Sequence, residues 1–210
     1  MVRHLKRSYI YLIFAFLYMP IAVLMVYSFN DARSRGMWGG FTLRWYVELF
    51  QDRTIMHSLY ATLIIGASSA VLATIIGTMA AIGIHNSKGP AKKVIMNVTY
   101  LPVLNPEIVT AISLMLLFVF TRVRFGYLTL LLSHISFNVP YVILSVLPKL
   151  RQLNKHLYEA ALDLGCTPLQ ALWKVIIPEI MPGIVTGLLL AFTLSIDDFV
   201  ISFFTTGSGV

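Results

Sequence analysis

Hydrophobic residues in this chain do not alternate with polar ones; they come in long runs parted by short polar stretches. A helix needs roughly 20 apolar residues to cross the hydrocarbon core of a bilayer. Five runs meet that length. They are 10–29, uncharged and containing Pro20; 59–84, also uncharged; 94–120, charged only at Glu107; 127–147, with His134; and 184–204, with the adjacent acids Asp197 and Asp198. Backbone groups in lipid have to bond internally, so such runs are helices or strands of a closed barrel. Their length and continuity fit helices rather than short alternating barrel strands. The first run follows a basic start at Arg3, Lys6 and Arg7. It is longer than the apolar part of a signal peptide and has no small-x-small cleavage site after it, so it reads as a retained span.

Two runs carry further pattern. In 59–84, Gly66 and Ala70 are four apart, and Ala73, Gly77 and Ala81 continue at that spacing. Small residues so placed let helix backbones approach closely in lipid, which predicts a helix inside a bundle. In 94–120, Pro102 and Pro106 flank Val103-Leu104-Asn105 just before Glu107. Each proline removes a backbone donor and crowds the preceding turn, so this span is expected to kink or break. A break beside an intramembrane acid is where transporter sites are often built; a simple kink is the plainer alternative.

Composition narrows the class. Hydrophobic residues make up 58% of the 210 residues and charged ones 12%, about half the charge content of a soluble domain. A soluble globule and a disordered chain are both excluded, and a single cysteine excludes an internal disulfide scaffold. The net charge of +7 is read as topology signals and lipid-headgroup contacts, not as a nucleic-acid footprint. Arg3, Lys6, Arg7, Lys88, Lys92, Lys93, Lys149, Arg151, Lys155 and Lys174 fall on one side of the spans; Arg33, Arg35, Arg44, Arg53, Arg122 and Arg124 fall on the other. The excess places the N-terminus in the cytoplasm. Five spans then leave the C-terminus outside, and the ending Thr206-Gly207-Ser208-Gly209-Val210 is expected to precede a further helix.

Glu107, Asp197 and Asp198 are acids in an apolar solvent, where each costs about 3 kcal/mol on insertion scales. Such groups face a bundle interior or a wet cavity. Three of them could surround a passage for a cation, and a polyamine offers several ammonium groups along an apolar chain. Ser195, Asp198 and Ser202, three and four residues apart, would share the wall of that path. Acids capped by backbone donors or by Arg122 and Arg124, and a proton relay, are the other readings. His134, with Asn138 four residues on, is expected to be an interhelical hydrogen-bond partner. No His, Cys, Asp or Glu spacing matches a metal site.

Residues 148–182 are too many for a mere connector. Asn154–Leu164 reads as a short helix burying Leu157, Ala160, Ala161 and Leu164, with Gly165 as its left-handed cap. Thr167, Pro168 and Gln170 supply N-cap, N1 and capping-box residues for a second helix, with Pro178 and Pro182 expected to end it. Helix, glycine turn, helix on the basic side is a docking shape for a soluble partner.

Glu159-Ala160-Ala161, three residues, Gly165, nine residues, then Val175-Ile176-Ile177-Pro178 resembles the Glu-Ala-Ala signature of ABC importer permeases, whose usual ending is Ile-x-Leu-Pro. Ser28-Phe29-Asn30, Phe41-Thr42 with Trp45-Tyr46, Ser133-His134-Ile135-Ser136-Phe137 and Ser195-Ile196-Asp197-Asp198-Phe199 resemble the spermidine/putrescine members of that family along nearly the whole chain. The resemblance implies an all-α polytopic helical bundle of the type I importer permease (MetI-like) fold, with five of six expected spans present in one permease domain, 1–210. It implies a coupling loop at 148–182 in which Glu159, Ala160, Ala161, Gly165 and Pro178 meet an ATPase. Partners implied are a second permease, two ATPase subunits, an external polyamine-binding protein and membrane lipid, in a bacterial inner membrane. The chain would be no enzyme; no GxxxxGK[ST] occurs, and ATP and Mg would be bound by the ATPase. Glu107, Asp197 and Asp198 are carried over as candidate substrate contacts. Another solute, such as iron or thiamine, is the nearest alternative. A membrane-embedded enzyme would not need the coupling loop, and a purely structural subunit is a further reading.

Overall fold

The computed structural model describes residues 2–32, 36–154 and 156–207, with side chains from Arg7 onward. Arg33, Arg35, Lys155, the side chains of Arg3 and Lys6, and the terminal Ser208–Val210 lie outside the described residues. Helices account for every regular element among them, and the chain divides into two units, 1–58 and 59–210.

In the first unit, α1 (Val2–Tyr27) has exposed side chains from Arg7 to Val26. A turn follows that is tied by one residue. Buried Asn30 donates from Nδ2 to the Met37 carbonyl (2.8 Å) and accepts at Oδ1 from the Gly39 (2.7 Å) and Ala32 (3.2 Å) amides, while its own carbonyl accepts from Trp45 Nε1 (2.9 Å). Phe29 stacks on Phe41 at 5.3 Å, and Arg44 pairs with Asp31 at 3.4 Å. Helix α2 (Arg44–Gln51) carries Arg44, Glu48 and Gln51 on one face and has no buried residue.

Helix α3 (Arg53–Asn86) starts in the first unit and runs on into the second. Gly66, Ala70, Ala73, Gly77 and Ala81 are all buried, as their small-residue spacing predicts. At Gly77, α3 lies close against α6 (Tyr127–Gln152): a β-carbon there would stand 2.7 Å from Val142 Cβ. Val142 is also pressed by α9 (Ile177–Asp197), where Gly187 leaves room for it. Ala70, Ala73, Ala81, Val142, Ile143, Val146 and Ile180 form the core among these three helices.

The apolar run 94–120 is two helices, α4 (Gly89–Leu104) and α5 (Glu107–Phe120), bent by 108°. Pro102 is accommodated inside α4. The break falls at Asn105, which is extended (φ −79°, ψ 144°) because the ring of Pro106 crowds the helical conformation of the residue before it. Four helices are long and apolar enough to cross a membrane, or five if the bent pair is one span, among the described residues.

Residues 148–182 depart from the sequence reading in two ways. Helix α7 (His156–Asp163) buries Ala161, but Ala160 is exposed and Leu164 is 86% exposed. The helix ends before Leu164, so that side chain leaves the apolar stripe. Gly165 does take the left-handed conformation (φ +85°), and Thr167 and Gln170 do form a capping box. The helix they open, α8 (Pro168–Ala171), is not ended by Pro178 or Pro182. It passes through a π turn, Leu172–Ile176, into α9. The Ile177 amide bonds back to the Leu172 carbonyl, five residues earlier. The wider turn lies directly ahead of Pro178, whose ring would crowd a regular one.

Candidate functional site

Helix α9 stops at Asp197. Asp198 is extended (φ −75°, ψ 112°), and a short helix, α10 (Val200–Thr205), begins after Phe199. The run 184–204 is therefore broken where its two acids sit. Their side chains part there. Asp197 is exposed, whereas the Asp198 side chain is only 2% exposed. The Asp198 carboxylate accepts from the amides of Ile201 (3.2 Å) and Ser202 (3.1 Å), so it caps the first turn of α10. Two amides that would be unpaired in an apolar bundle are thereby satisfied.

Around that cap lies a polar cluster from four helices, α3, α6, α9 and α10. Ser195 Oγ, near the end of α9, receives Asn138 Nδ2 at 2.7 Å and lies 2.9 Å from Ser69 Oγ of α3 and 3.2 Å from His134 Nδ1 of α6. His134 Nε2 is 3.1 Å from Ser202 Oγ and 3.9 Å from Asp198 Oδ2. Ser202 Oγ donates to the Asp198 carbonyl at 3.1 Å. Ser69, His134 and Asn138 are buried, and Asn138 Oδ1 has no hydrogen-bond partner among the described residues. Thr129 of α6 donates to the Thr205 carbonyl at 2.9 Å, so α6 holds α10 at its far end too.

Ser195, Asp198 and Ser202 thus converge, as their spacing predicts, although the helix breaks between them. Glu107 and Asp197 do not join the cluster; both are exposed. Glu107 opens α5 just past the 108° elbow. A groove of about 330 Å³ lies in that elbow, with Asn105, Thr110, Ser113 and Ser136 among its lining residues. His134 is an interhelical hydrogen-bond partner, as read from sequence. Ser69 was not singled out; its signal was a hydroxyl one residue from Ala70 of the small-residue stripe. No group of three or more His, Cys, Asp or Glu able to hold a metal occurs among the described residues.

Of the candidate coupling residues, Glu159, Ala160 and Ala161 lie on α7 just ahead of the Gly165 turn. Glu159 is exposed and 3.2 Å from His156 Nδ1. Leu164, Leu169 (65%) and Trp173 (63%) leave apolar surface exposed on either side of the turn. Pro178 sits in the first turn of α9.

A bundle of membrane-length helices, one broken at an elbow and one at an acid, preceded by an exposed helix-turn-helix segment, is the architecture of a transport protein. The family described as binding-protein-dependent transport system inner membrane component matches residues 73–210. The PotC permease protein of the spermidine/putrescine transport system of Haemophilus influenzae is 35% identical over 203 residues, covering 97% of this chain and 79% of that protein. Its counterpart in Escherichia coli K12 is 37% identical over 205 residues, covering 98% and 78%. The putrescine transport system permease PotI of the same strain is 39% identical over 208 residues, covering 93% and 72%. Among solved structures, a bacterial ABC transporter involved in import of the acidic polysaccharide alginate contains a chain similar in fold, with TM-score 0.72 and 18% identity over 99% of this chain and 77% of that one. The chain belongs to the binding-protein-dependent transport system inner membrane component family. It is a multi-pass membrane permease of the MetI-like fold.

Proposed function

We propose that this chain is a permease subunit of an ATP-driven importer that carries polyamines, spermidine or putrescine, into the cytoplasm. The observation that carries the reading is 35–39% identity, along nearly the whole chain, to curated polyamine permeases. The chemistry agrees with it. Exposed Glu107 and Asp197 offer carboxylates at separate points of an apolar wall, which suits a ligand with cationic groups separated by methylenes. Ser195, Asp198 and Ser202 form the buried flank of that path.

The N-terminus is cytoplasmic in this reading. Glu159, Ala160, Ala161, Gly165 and Pro178 shape the surface that meets a PotA-like ATPase, with exposed Leu164, Leu169 and Trp173 entering its cleft. Two ATPase copies bind ATP and Mg; this chain contributes neither a nucleotide site nor a cofactor. A PotB-like second permease completes the pathway, and a PotD-like external protein delivers the polyamine. Hydrolysis in the ATPase pair moves the helices through the coupling surface.

The test is uptake of radiolabelled spermidine and putrescine by cells that lack their own polyamine importer and carry the remaining transport genes with or without this chain. Uptake that needs the chain and stops on ATP depletion is the expected result. Chain-dependent uptake of iron or thiamine with no polyamine uptake would overturn the substrate assignment.

A further inference from the structure

His134 stands between two hydroxyls, one on each side of the α9–α10 break. Ser202 Oγ lies 3.1 Å from His134 Nε2 and 3.1 Å from the Asp198 carbonyl oxygen. Each ring nitrogen thus has a hydroxyl partner of its own. Ser195 Oγ accepts from Asn138 Nδ2 and lies 3.2 Å from His134 Nδ1. Ser69 Oγ lies 2.9 Å from Ser195 Oγ and 3.1 Å from the Gly66 carbonyl oxygen. The result is a relay from α3 and α6, through Ser195 and the imidazole, to the backbone of the α9–α10 break.

We propose that His134 is the positioning residue of that break: its Nε2 fixes Ser202, and through it the capped Asp198 turn, while its Nδ1 fixes Ser195. One rigid ring sets the spacing between the end of α9 and the start of α10. The inference rests on the reading of 195–202 as part of the substrate path for its transport consequence, but not for the geometry. It also explains why a histidine stands on an otherwise uncharged span. Neither nitrogen is idle, and an apolar residue there would take one polar partner from Ser202 and one from Ser195.

The test separates the two nitrogens. His134→Gln puts an amide near the Nε2 position and keeps a donor for Ser202. His134→Asn puts an amide oxygen near the Nδ1 position and loses that donor. In the assembled complex in lipid nanodiscs, amide hydrogen exchange at Ile201 and Ser202 is the readout. His134→Asn is expected to exchange there roughly fivefold faster than wild type, the loss of about one hydrogen bond, and His134→Gln to lie closer to wild type. Ser202→Ala removes the same bond from the other side together with the bond to the Asp198 carbonyl, so it should exchange at least as fast as His134→Asn, with the double variant no faster than Ser202→Ala alone. Equal acceleration in Gln and Asn variants would reduce His134 to a space-filler and overturn the proposal, as would protection in Asn with loss in Gln. Polyamine uptake is read in parallel. Fast exchange with lowered uptake in His134→Asn, partly restored in His134→Gln, supports both readings. Fast exchange with unchanged uptake leaves the clasp standing and removes 195–202 from the path.

Discussion

Gly77→Ala tests how tightly the three-helix core is built. The added β-carbon would lie 2.7 Å from both Val142 Cβ and Cγ1 and 3.2 Å from the Val139 carbonyl oxygen. Carbon atoms in contact normally sit about 3.5–4.0 Å apart, so the shortfall is on the order of 1 Å. Val142 cannot retreat easily, because it is fully buried between α3 and α9. Overpacking of this kind costs about 1–3 kcal/mol. Alanine also regains about 1 kcal/mol of helix propensity over glycine, which blurs the single measurement. Gly83 removes the ambiguity. It is exposed on the same helix, and a β-carbon there meets nothing within 4 Å. Gly83→Ala therefore gains the propensity alone, and the difference between the two variants is the overpacking term, about 1–3 kcal/mol or roughly 5- to 150-fold in the unfolding constant. Pulse proteolysis of the purified chain across an SDS titration in mild detergent measures it. If Gly77→Ala and Gly83→Ala shift the midpoint together, the close approach of α3 to α6 is wrong.

Substitutions at three further positions address the acids and the turn proposed for coupling. Asp198→Asn keeps one acceptor for two amides and should lower stability in the same assay by about 1 kcal/mol; Asp197→Asn, exposed and uncapped, should leave stability unchanged and lower polyamine uptake. A β-carbon at Gly165 meets no atom within 4 Å, so the main effect of Gly165→Val is the cost of a β-branched residue at φ +85°, about 1–2 kcal/mol or more. It should reach the membrane normally yet retain less ATPase on copurification, with Gly165→Asn milder.

The sequence made the spans legible because lipid leaves a run of apolar residues few alternatives. It made the Gly165 turn and the Thr167 cap legible because those conformations depend on local chemistry. The elbow was anticipated from two prolines, but its position at Asn105 followed from the steric demand of Pro106 on its neighbour, while Pro102 stayed helical. The polar cluster was half visible. Ser195, Asp198 and Ser202 have the spacing of a helical face, and they do meet, yet the helix that justified the spacing is interrupted at Asp198. What joins them is His134, and which nitrogen faces which hydroxyl is a property of helix placement that no spacing rule contains. The opposite fates of Asp197 and Asp198 were equally unreadable, since adjacent residues at a break point in different directions. Pro178 does not stop the helix because the π turn directly ahead of it makes room for its ring.

That π turn has a geometric consequence. Buried positions on α9 are Ile180, Gly183, Gly187, Ala191 and Ser195, a stripe that extrapolates backward at seven residues to position 173. In an uninterrupted α-helix, at about 100° per residue, Trp173 would fall within about 20° of that stripe. The additional residue in the turn at Leu172–Ile176 rotates everything before it by about 100° relative to everything after, and Trp173 is 63% exposed. One inserted residue thus offsets the register of the segment before α9 from that of α9 itself. The outward-facing Trp173 and the bundle-facing Gly183–Gly187 stripe are held about 100° out of phase on a single rod, and deleting one residue from the turn would swing Trp173 back toward the bundle without moving the α9 face.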